Sequence, residues 1–249
     1  MSSGSKTCSK EIWLSISSNV QFLHAPTVTA LSQKKSYSFN GVDLIVDYIF
    51  KSKKNGFYLD VGAQHPISNN NTYILFKKGW NGINIDLDKK NIDLFNIVRP
   101  NDINLNFAIS DIEEEVDLFY YHDSSPINTL SKNVSDFQNA KVNKVKKVQT
   151  KILSDVLDEI NLQNRIDYMN LDVEGYEERV LKGFNIKKYM PYVISVEYLD
   201  LKMNKLEFRN NDINNLLNSN LYKFFIQNDY FFVNWLHGDL IFVHKDFRD

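Results

Sequence analysis

The chain has 249 residues, of which 43% are hydrophobic, and this is enough for one large α/β domain with a well-filled core. Its 29 basic and 31 acidic side chains leave a formal net charge of only −2, so no global field favours nucleic acid or an anionic membrane as a partner. A single cysteine, Cys8, rules out an internal disulfide and a cysteine-rich metal site. No apolar run approaches the roughly 18 residues of a membrane span, and we expect a cytoplasmic protein.

Residues 1–38 are rich in Ser, Thr and Lys and contain only two short apolar islands. We expect them to form an N-terminal extension that is at most partly ordered, or that closes over a site or pairs with a second subunit. The main domain is predicted over residues 39–249. It begins with an amphipathic helix, because apolar residues recur at helical spacing from Val42 to Phe50.

A strand, a glycine turn and a helix follow. Phe57–Val61 reads as a short buried strand, Gly62 breaks it, and the polar run 68–71 can cap a helix. This arrangement is typical of a cofactor site.

The turn lacks the features of a dinucleotide-binding loop. A G-x-G-x-x-G loop needs glycine at its second and third conserved positions so that the backbone approaches a pyrophosphate closely. Gln64 and Ile67 occupy those positions, and Pro66 has no N–H to donate. The turn therefore disfavours a pyrophosphate, whereas a nucleoside without phosphates needs only one close approach, at Gly62.

Asp86 is the candidate ribose ligand. It ends a second apolar strand and lies 24 residues after Gly62 (86 minus 62), close to the spacing of about 20 that is typical of a ribose-binding acid. One carboxylate can accept hydrogen bonds from both vicinal hydroxyls of a ribose. Together the turn and this acid favour S-adenosylmethionine over NAD as the cofactor.

The rest of the chain alternates strands with helices, which predicts a parallel sheet with helices on both faces. The predicted strands after the first are 83–87, 103–109, 116–121, 144–151, 166–173, 192–196, 222–226 and 240–244, and the predicted helices are 72–78, 92–98, 154–160, 177–181 and 213–217. Ser154 is the expected N-cap of the third of these helices, and Tyr230–Trp235 is expected to join the last two strands. The polar stretch 122–143 has no period and is predicted to be a substrate or lid loop.

Acidic residues fall at or just past the ends of four predicted strands: Asp60, Asp86, Asp172 and Glu197. Ligands bind outside the carboxyl ends of the strands in such sheets. Asp172, Glu174 or Glu197 could take a proton from a hydroxyl, or hold a divalent ion such as Mg²⁺ that lowers the pKa of that hydroxyl; Glu174 could equally cap the following helix. His65, in the turn, could face the methyl donor as a base or make a structural hydrogen bond.

Two separated blocks carry a family resemblance. The first runs from Gly56 to Asp88 with Asn71-Thr72, Phe76, Gly79-Trp80 and Gly82-Ile83, and the second is the run 167–177 followed by 180–184. In this order they resemble the FkbM family of S-adenosylmethionine-dependent methyltransferases, over about residues 40 to 245. Many members have Asn at the position of Gln64, and Glu-Pro at that of Asp86-Leu87.

The resemblance implies a Rossmann-like class I methyltransferase fold, with a mostly parallel seven-stranded sheet and an antiparallel last strand, and an acceptor hydroxyl on a sugar of a glycan, polysaccharide or secondary metabolite. The acceptor would be a small molecule or a glycan, and a homo-oligomer is an open expectation. Two alternatives remain: an NAD-linked oxidoreductase, and a non-catalytic cofactor-binding protein.

The predicted site residues combine the turn, the strand ends and the resemblance. The cofactor-binding set is Asp60, Gly62, Ala63, Gln64, Asn71, Thr72, Asp86, Ala108 and Asp172. The catalytic set is Asp172, Glu174, Glu197 and His65, of which the first three would also be the ligands of a metal.

Overall fold

The computed structural model describes residues 34–201 and 211–247. The strands of these ranges are β1 Phe57–Val61, β2 Asn81–Asp86, β3 Ile103–Asn106, β4 Ala108–Ser110, β5 Glu115–Tyr120, β6 Lys144–Ile152, β7 Tyr168–Leu171, β8 Val193–Glu197, β9 Tyr230–Leu236 and β10 Asp239–His244. The helices are α1 Val42–Ile49, α2 Tyr73–Phe76, α3 Lys89–Val98, α4 Lys132–Gln138, α5 Leu153–Glu159, α6 Glu177–Lys182, α7 Ile186–Tyr189, α8 Ile213–Asn218 and α9 Asn220–Gln227. Most of the predicted extension, 1–33, lies outside the described residues.

Seven strands of the described ranges form one sheet in the order β3-β2-β1-β7-β8-β10-β9. All neighbouring pairs from β3 to β8 are parallel, whereas β10 runs antiparallel to both β8 and β9. The predicted α/β fold, with a mostly parallel sheet and an antiparallel last strand, is confirmed. The order of the strands reverses between β1 and β7, where a crevice opens at the carboxyl ends of the strands.

The central strand is buried on both faces. All five residues of β1 are buried, and successive side chains of a strand point to opposite faces. Leu59 packs in one hydrophobic cluster with Ile83 and Met169, while its neighbour Tyr58 packs in another with Trp80. Helices cover both faces, which is why β1 reads as a continuous apolar run with one buried acid.

A small second sheet of the described residues has the order β4-β6-β5. The segment 103–109, which was predicted to be one strand, forms two strands separated by Phe107. The first, β3, pairs with β2, and the second, β4, pairs with β6. The predicted solvent-facing strand 144–151 is confirmed as β6, in which Val145 is half exposed.

Two elements near the C-terminus differ from prediction. The segment 222–226 is not a strand but part of α9, which begins after Ser219, whose side chain accepts from the Tyr222 N–H. Leu221 and Phe225 are its buried residues, four positions apart on one face. A short apolar run is compatible with both the helical and the strand period, and here the N-cap serine favours the helix. The aromatic segment predicted to be a connection is strand β9.

Two helix predictions also change. The polar stretch 122–143 contains α4, capped by the Ser131 hydroxyl. Ser154 is not a cap, because α5 begins one residue earlier; its hydroxyl donates to the Gly183 carbonyl (2.8 Å) and accepts from the Asn185 N–H (2.7 Å). Within the described ranges, no helix combines the length and the apolar character that a bilayer crossing requires.

Candidate active site

A cavity of about 360 Å³ opens at the carboxyl ends of β1, β2 and β7, and its size lies in the range of small-molecule sites. The predicted site residues that line it are Asp60, Gly62, Ala63, Gln64, Asn71, Asp86, Ala108, Asp172, Glu174 and Glu197. Residues 125–128 of the polar loop also line it. Thr72 and His65 are not among the lining residues.

Gly62 is required by its conformation and by its neighbour. Its φ is +82°, and a Cβ built on it would lie 1.6 Å from the Asp172 carbonyl oxygen. The N–H groups of Gly62 and Ala63 both donate to the Ile85 carbonyl, at 2.9 and 3.1 Å. The turn therefore ties β1 to β2 and passes directly against the end of β7. From the sequence, we expected glycine at this position because the backbone approaches a ligand closely. The close approach to the end of β7 is an additional reason for glycine.

Asp86 is held by three N–H donors. Its Oδ1 accepts from the Asp88 backbone (2.7 Å) and from Asn91 Nδ2 (3.1 Å), and its Oδ2 accepts from the Gln64 backbone (2.8 Å). A carboxylate offers about four acceptor sites, so one site on Oδ2 remains for a ribose hydroxyl. Burial raises the pKa of Asp86 to about 6.

Gln64 and Asp88 fix the polar loop beside the cavity. Gln64, with φ +51°, donates from Nε2 to the Ser124 carbonyl (3.2 Å). The Ser124 N–H donates to Asp88 Oδ2 (2.8 Å). The substrate or lid region predicted from the sequence is thus hydrogen-bonded to the cofactor turn and to the N-cap of α3.

Asp60 has a buried network of its own. Its carboxylate accepts from Asn70 Nδ2 (3.1 Å), Thr72 Oγ1 (2.8 Å) and Asn170 Nδ2 (2.9 Å). Arg99 donates in turn to the Thr72 hydroxyl (2.8 Å) and to Asn70 Oδ1 (2.7 Å). Burial raises the pKa of Asp60, and Asn170 is the strongest of the influences that oppose it. Thr72 therefore lies behind the cavity wall and links an acid to a cation.

Sequence reasoning missed Arg99. The side chain is fully buried, and its guanidinium donates twice to the Pro66 carbonyl, at 2.6 and 3.1 Å. Four aromatic rings lie 5.0–5.8 Å from its centre, those of Tyr58, Tyr73, Phe76 and Phe95. From the sequence, an arginine between a helix and a proline is expected to be a solvated cation at a helix C-terminus. No local pattern therefore indicates that Arg99 binds the loop after Gly62.

The turn after β7 and the end of β8 bring acids together. Burial is the largest influence that raises the pKa of each. It raises the pKa of Glu174 to about 8 and that of Glu177 to about 7. The pKa values of Asp172 and Glu197 rise well above their usual range, because burial is reinforced by the neighbouring carboxylates. Glu177 was not predicted, since its position in the first turn of α6 is that of an ordinary capping acid.

The four acids differ in their hydrogen bonds. Glu177 Oε1 accepts from the Val173 and Gly175 N–H groups, at 3.0 and 3.2 Å. Glu174, with φ +53°, accepts from Gln138 Nε2 at 3.2 Å. Within the described ranges, the carboxylates of Asp172 and Glu197 accept no hydrogen bond, and Glu197 Oε2 is buried.

His65 has a local role in the structure. Its Nδ1 accepts from the Ile67 N–H (3.1 Å) and the Ser68 N–H (3.0 Å), which places the proton of the neutral ring on Nε2. Burial, followed by the charge of Arg99, lowers its pKa. This geometry corresponds to the structural alternative that the sequence left open.

The charge of the cavity is one-sided. Its lining contains seven carboxyl groups, those of Asp60, Asp86, Asp88, Asp172, Glu174, Glu197 and Asp239, and the raised pKa values of Asp172, Glu174 and Glu197 mean that a nearby positive charge would favour their ionised form. Among the described residues that line it there is no lysine or arginine, and His237 is the single histidine. The cavity therefore suits a cationic ligand and opposes an anionic one.

The parallel sheet with one reversed strand, the cavity at its switch point and the acid ending β2 define a Rossmann-like methyltransferase class of protein. A family model described as the methyltransferase FkbM domain matches residues 60–224. The match covers well over half of the chain, and the chain belongs to this family. No curated protein and no solved structure matches the chain.

Proposed function

We propose that the protein transfers a methyl group from S-adenosylmethionine to a hydroxyl of a sugar. The observation that supports the methyl donor is the set of ionisable groups in the cavity: seven carboxyl groups and, in the described lining, no lysine or arginine. The acceptor class rests on the family.

The charges separate the candidate cofactors. S-adenosylmethionine has a sulfonium and an ammonium group against one carboxylate, and is a net cation. NAD has a pyrophosphate, which needs N–H donors or cationic side chains. The acid-lined cavity, together with Gln64 and Ile67 in the turn, favours the methyl donor over the oxidoreductase alternative. Asp86 would accept from one ribose hydroxyl through its remaining acceptor site.

The same charge argument bears on the acceptor. A phosphorylated or carboxylated substrate would meet repulsion from the cavity, whereas an uncharged sugar hydroxyl would not. Residues 125–128 and Phe39 line the cavity and would contact this acceptor.

The reaction is an in-line displacement at the methyl carbon. The acceptor oxygen forms the new bond to that carbon as the bond from carbon to sulfur breaks, and the sulfonium becomes a neutral thioether. The hydroxyl proton passes to a carboxylate, for which Asp172, Glu174 and Glu197 are the candidates. The protein's main contributions are to align the reacting atoms and to accept the proton.

Isothermal titration calorimetry tests the cofactor. We expect S-adenosylhomocysteine to bind at micromolar concentration and NAD not to bind. Asp86→Ala should weaken S-adenosylhomocysteine binding roughly tenfold or more, because a hydrogen bond to a charged group contributes about 1.5–3 kcal/mol. The matched control is Asp93→Ala, which removes an exposed acid of the following helix, α3, that pairs with Lys89. Binding of NAD in place of S-adenosylhomocysteine would refute the proposal.

Transfer of a labelled methyl group to a panel of mono- and oligosaccharides tests the chemistry. Asp172→Asn and Glu197→Gln should reduce turnover far more than S-adenosylhomocysteine affinity. Cofactor binding without transfer to any hydroxyl compound would favour the non-catalytic alternative. The cytoplasmic location, the homo-oligomer and the domain boundary at 38/39 stay predictions.

A further inference from the structure

Two of the site's carboxylates have no hydrogen-bond donor in the described structure. Asp172 directly follows β7 and Glu197 ends β8, and neither accepts a hydrogen bond from a described residue. Glu197 Oε2 is inaccessible to solvent as well as unpartnered. Asp172 and Glu197 are both partly buried, and a carboxylate oxygen that is cut off from solvent, as Glu197 Oε2 is, is unfavourable when ionised unless a donor or a counter-charge lies beside it. A bound cation would supply that counter-charge.

The strongest charges near Asp172 are negative. Those with the largest influence on its pKa belong to Glu174, Asp239, Glu177 and Asp60, and each of them raises it. No ion pair within the described ranges involves Asp172, Glu177 or Glu197. Several acids that converge without a cation are unusual for a structural element, because each one opposes the ionisation of the others.

Glu177 completes the arrangement. One ligand oxygen from each of Asp172, Glu177 and Glu197 lies within 4.8 Å of the others, so a small ion placed among them reaches all three with minor movement of the side chains. Glu177 is fixed for this position, because its Oε1 is held by the Val173 and Gly175 N–H groups. Glu174, expected as a ligand from the sequence, accepts from Gln138 and is outside this group.

The geometry points to a binding site for a hard divalent cation, Mg²⁺ or Mn²⁺, formed by Asp172, Glu177 and Glu197. An all-carboxylate donor set suits hard cations, since zinc and copper prefer nitrogen and sulfur ligands. Three carboxylates from two strand ends and one helix leave positions for water or for an acceptor oxygen, as Mg²⁺ commonly requires.

The role of the ion, in contrast to its binding, rests on the proposed function. An ion beside the acceptor would lower the pKa of the attacking hydroxyl and orient its oxygen towards the methyl group. Asp172 and Glu197 would then act as metal ligands in place of proton acceptors, and Glu174 would remain beside the metal as the acid that is not a ligand.

Binding of Mn²⁺ to the full chain, measured by electron paramagnetic resonance and by calorimetry without cofactor or acceptor, tests the site. We expect one ion per chain. Glu197→Gln and Glu177→Gln should each weaken Mn²⁺ binding at least tenfold. Glutamine at 177 still accepts the two turn N–H groups, and Glu197 has no hydrogen bond to lose, so both variants should fold. Glu178→Gln is the matched control, because it removes the same charge one residue from Glu177 at an exposed position, and we expect less than a twofold change.

The possible results separate the two proposals. Absence of Mn²⁺ binding at millimolar concentration, or equal weakening in Glu178→Gln, would overturn the metal site. Binding of S-adenosylmethionine but of no divalent ion would assign the acids to the positive charge of the methyl donor and would also overturn it. Mn²⁺ binding without S-adenosylhomocysteine binding would support the metal site and refute the proposed function. Circular dichroism establishes folding of each variant, and Asp172→Asn replaces any variant that fails.

Discussion

Gly62→Ala is the sharpest test of how the cofactor turn is built. An alanine Cβ at this position would lie 1.6 Å from the Asp172 carbonyl oxygen, whereas real Cβ atoms essentially never approach another atom within 3.0 Å. The end of β7 and the turn would have to separate by about 1.4 Å, the difference between these two distances. Since the obstacle is backbone, no side-chain rotation can relieve the contact.

The structure allows the size of the effect to be worked out. A left-handed conformation costs a non-glycine residue about 1–2 kcal/mol. Separation of the turn from β7 also disrupts nearby backbone hydrogen bonds, such as those from Gly62 to Ile85 and from Asp172 to Val61, both at 2.9 Å. Each contributes about 0.5–1.5 kcal/mol, so the free energy of unfolding should fall by roughly 2–5 kcal/mol.

Gly79→Ala is the matched control. Gly79 has φ +92° but no atom within 4 Å of a built Cβ, so only the conformational term of about 1–2 kcal/mol applies. Urea unfolding of both variants should show the larger loss for Gly62→Ala, and calorimetry should show weaker S-adenosylhomocysteine binding for that variant alone. Equal losses of stability and unchanged affinity in both variants would refute the reasoning, because the contact with Asp172 would then have no effect.

Three further predictions concern the buried polar groups behind the cavity. Arg99→Met should reduce the free energy of unfolding by about 3–5 kcal/mol, because it leaves buried acceptors uncompensated; Arg165→Met, which loses a ring contact at an exposed position, should lose about 0.5–1 kcal/mol in the same urea titration. Thr72→Val should lose about 1–3 kcal/mol by urea titration, since it removes the hydroxyl between Asp60 and Arg99 without changing the shape. The folded-state pKa of Asp86 is raised from 3.8 to about 6, so protonation of Asp86 stabilises the folded state at low pH, and this stabilisation is lost as the pH rises from about 4 to about 6. Urea titrations should therefore show that the free energy of unfolding of the wild type falls by about 2 kcal/mol between pH 4 and pH 7, relative to that of Asp86→Asn.

Each of these predictions has a result that contradicts it. Equal losses for Arg99→Met and Arg165→Met would mean that the buried guanidinium does not hold the loop after Gly62. An unchanged stability of Thr72→Val would remove the hydroxyl from the network. If the difference in free energy of unfolding between wild type and Asp86→Asn were the same at pH 4 and pH 7, the pKa of Asp86 would not be raised by folding.

Much of the fold follows from local patterns. Strand β1, the glycine turn and the alternation of strands with helices can be predicted because buried parallel strands are continuous apolar runs bounded by turn residues. The same patterns fail where a short apolar segment fits two periods. Segment 222–226 was interpreted as a strand, and the spacing of Leu221 and Phe225 together with the Ser219 cap makes it a helix.

The site divides in the same way. Asp60, Asp86, Asp172 and Glu197 could be placed at one edge of the sheet from the sequence, because the carboxyl ends of parallel strands meet there. Glu177 and Arg99 could not, since an acid in a first helical turn and an arginine before a proline are ordinary surface residues by local pattern.

The sequence by itself determined strands β1, β2, β7 and β8 and the acids at or just past their ends, because these depend on periodicity and on residue type along the chain. Only the tertiary structure decided which side chains share a buried space: it places Arg99 behind Asp60, brings Glu177 as well as Glu174 close to Asp172 and Glu197, and leaves the described lining of the cavity without lysine or arginine. The physical reason is that burial and charge at a site depend on distances between segments far apart in the chain, and local patterns carry no information on those distances.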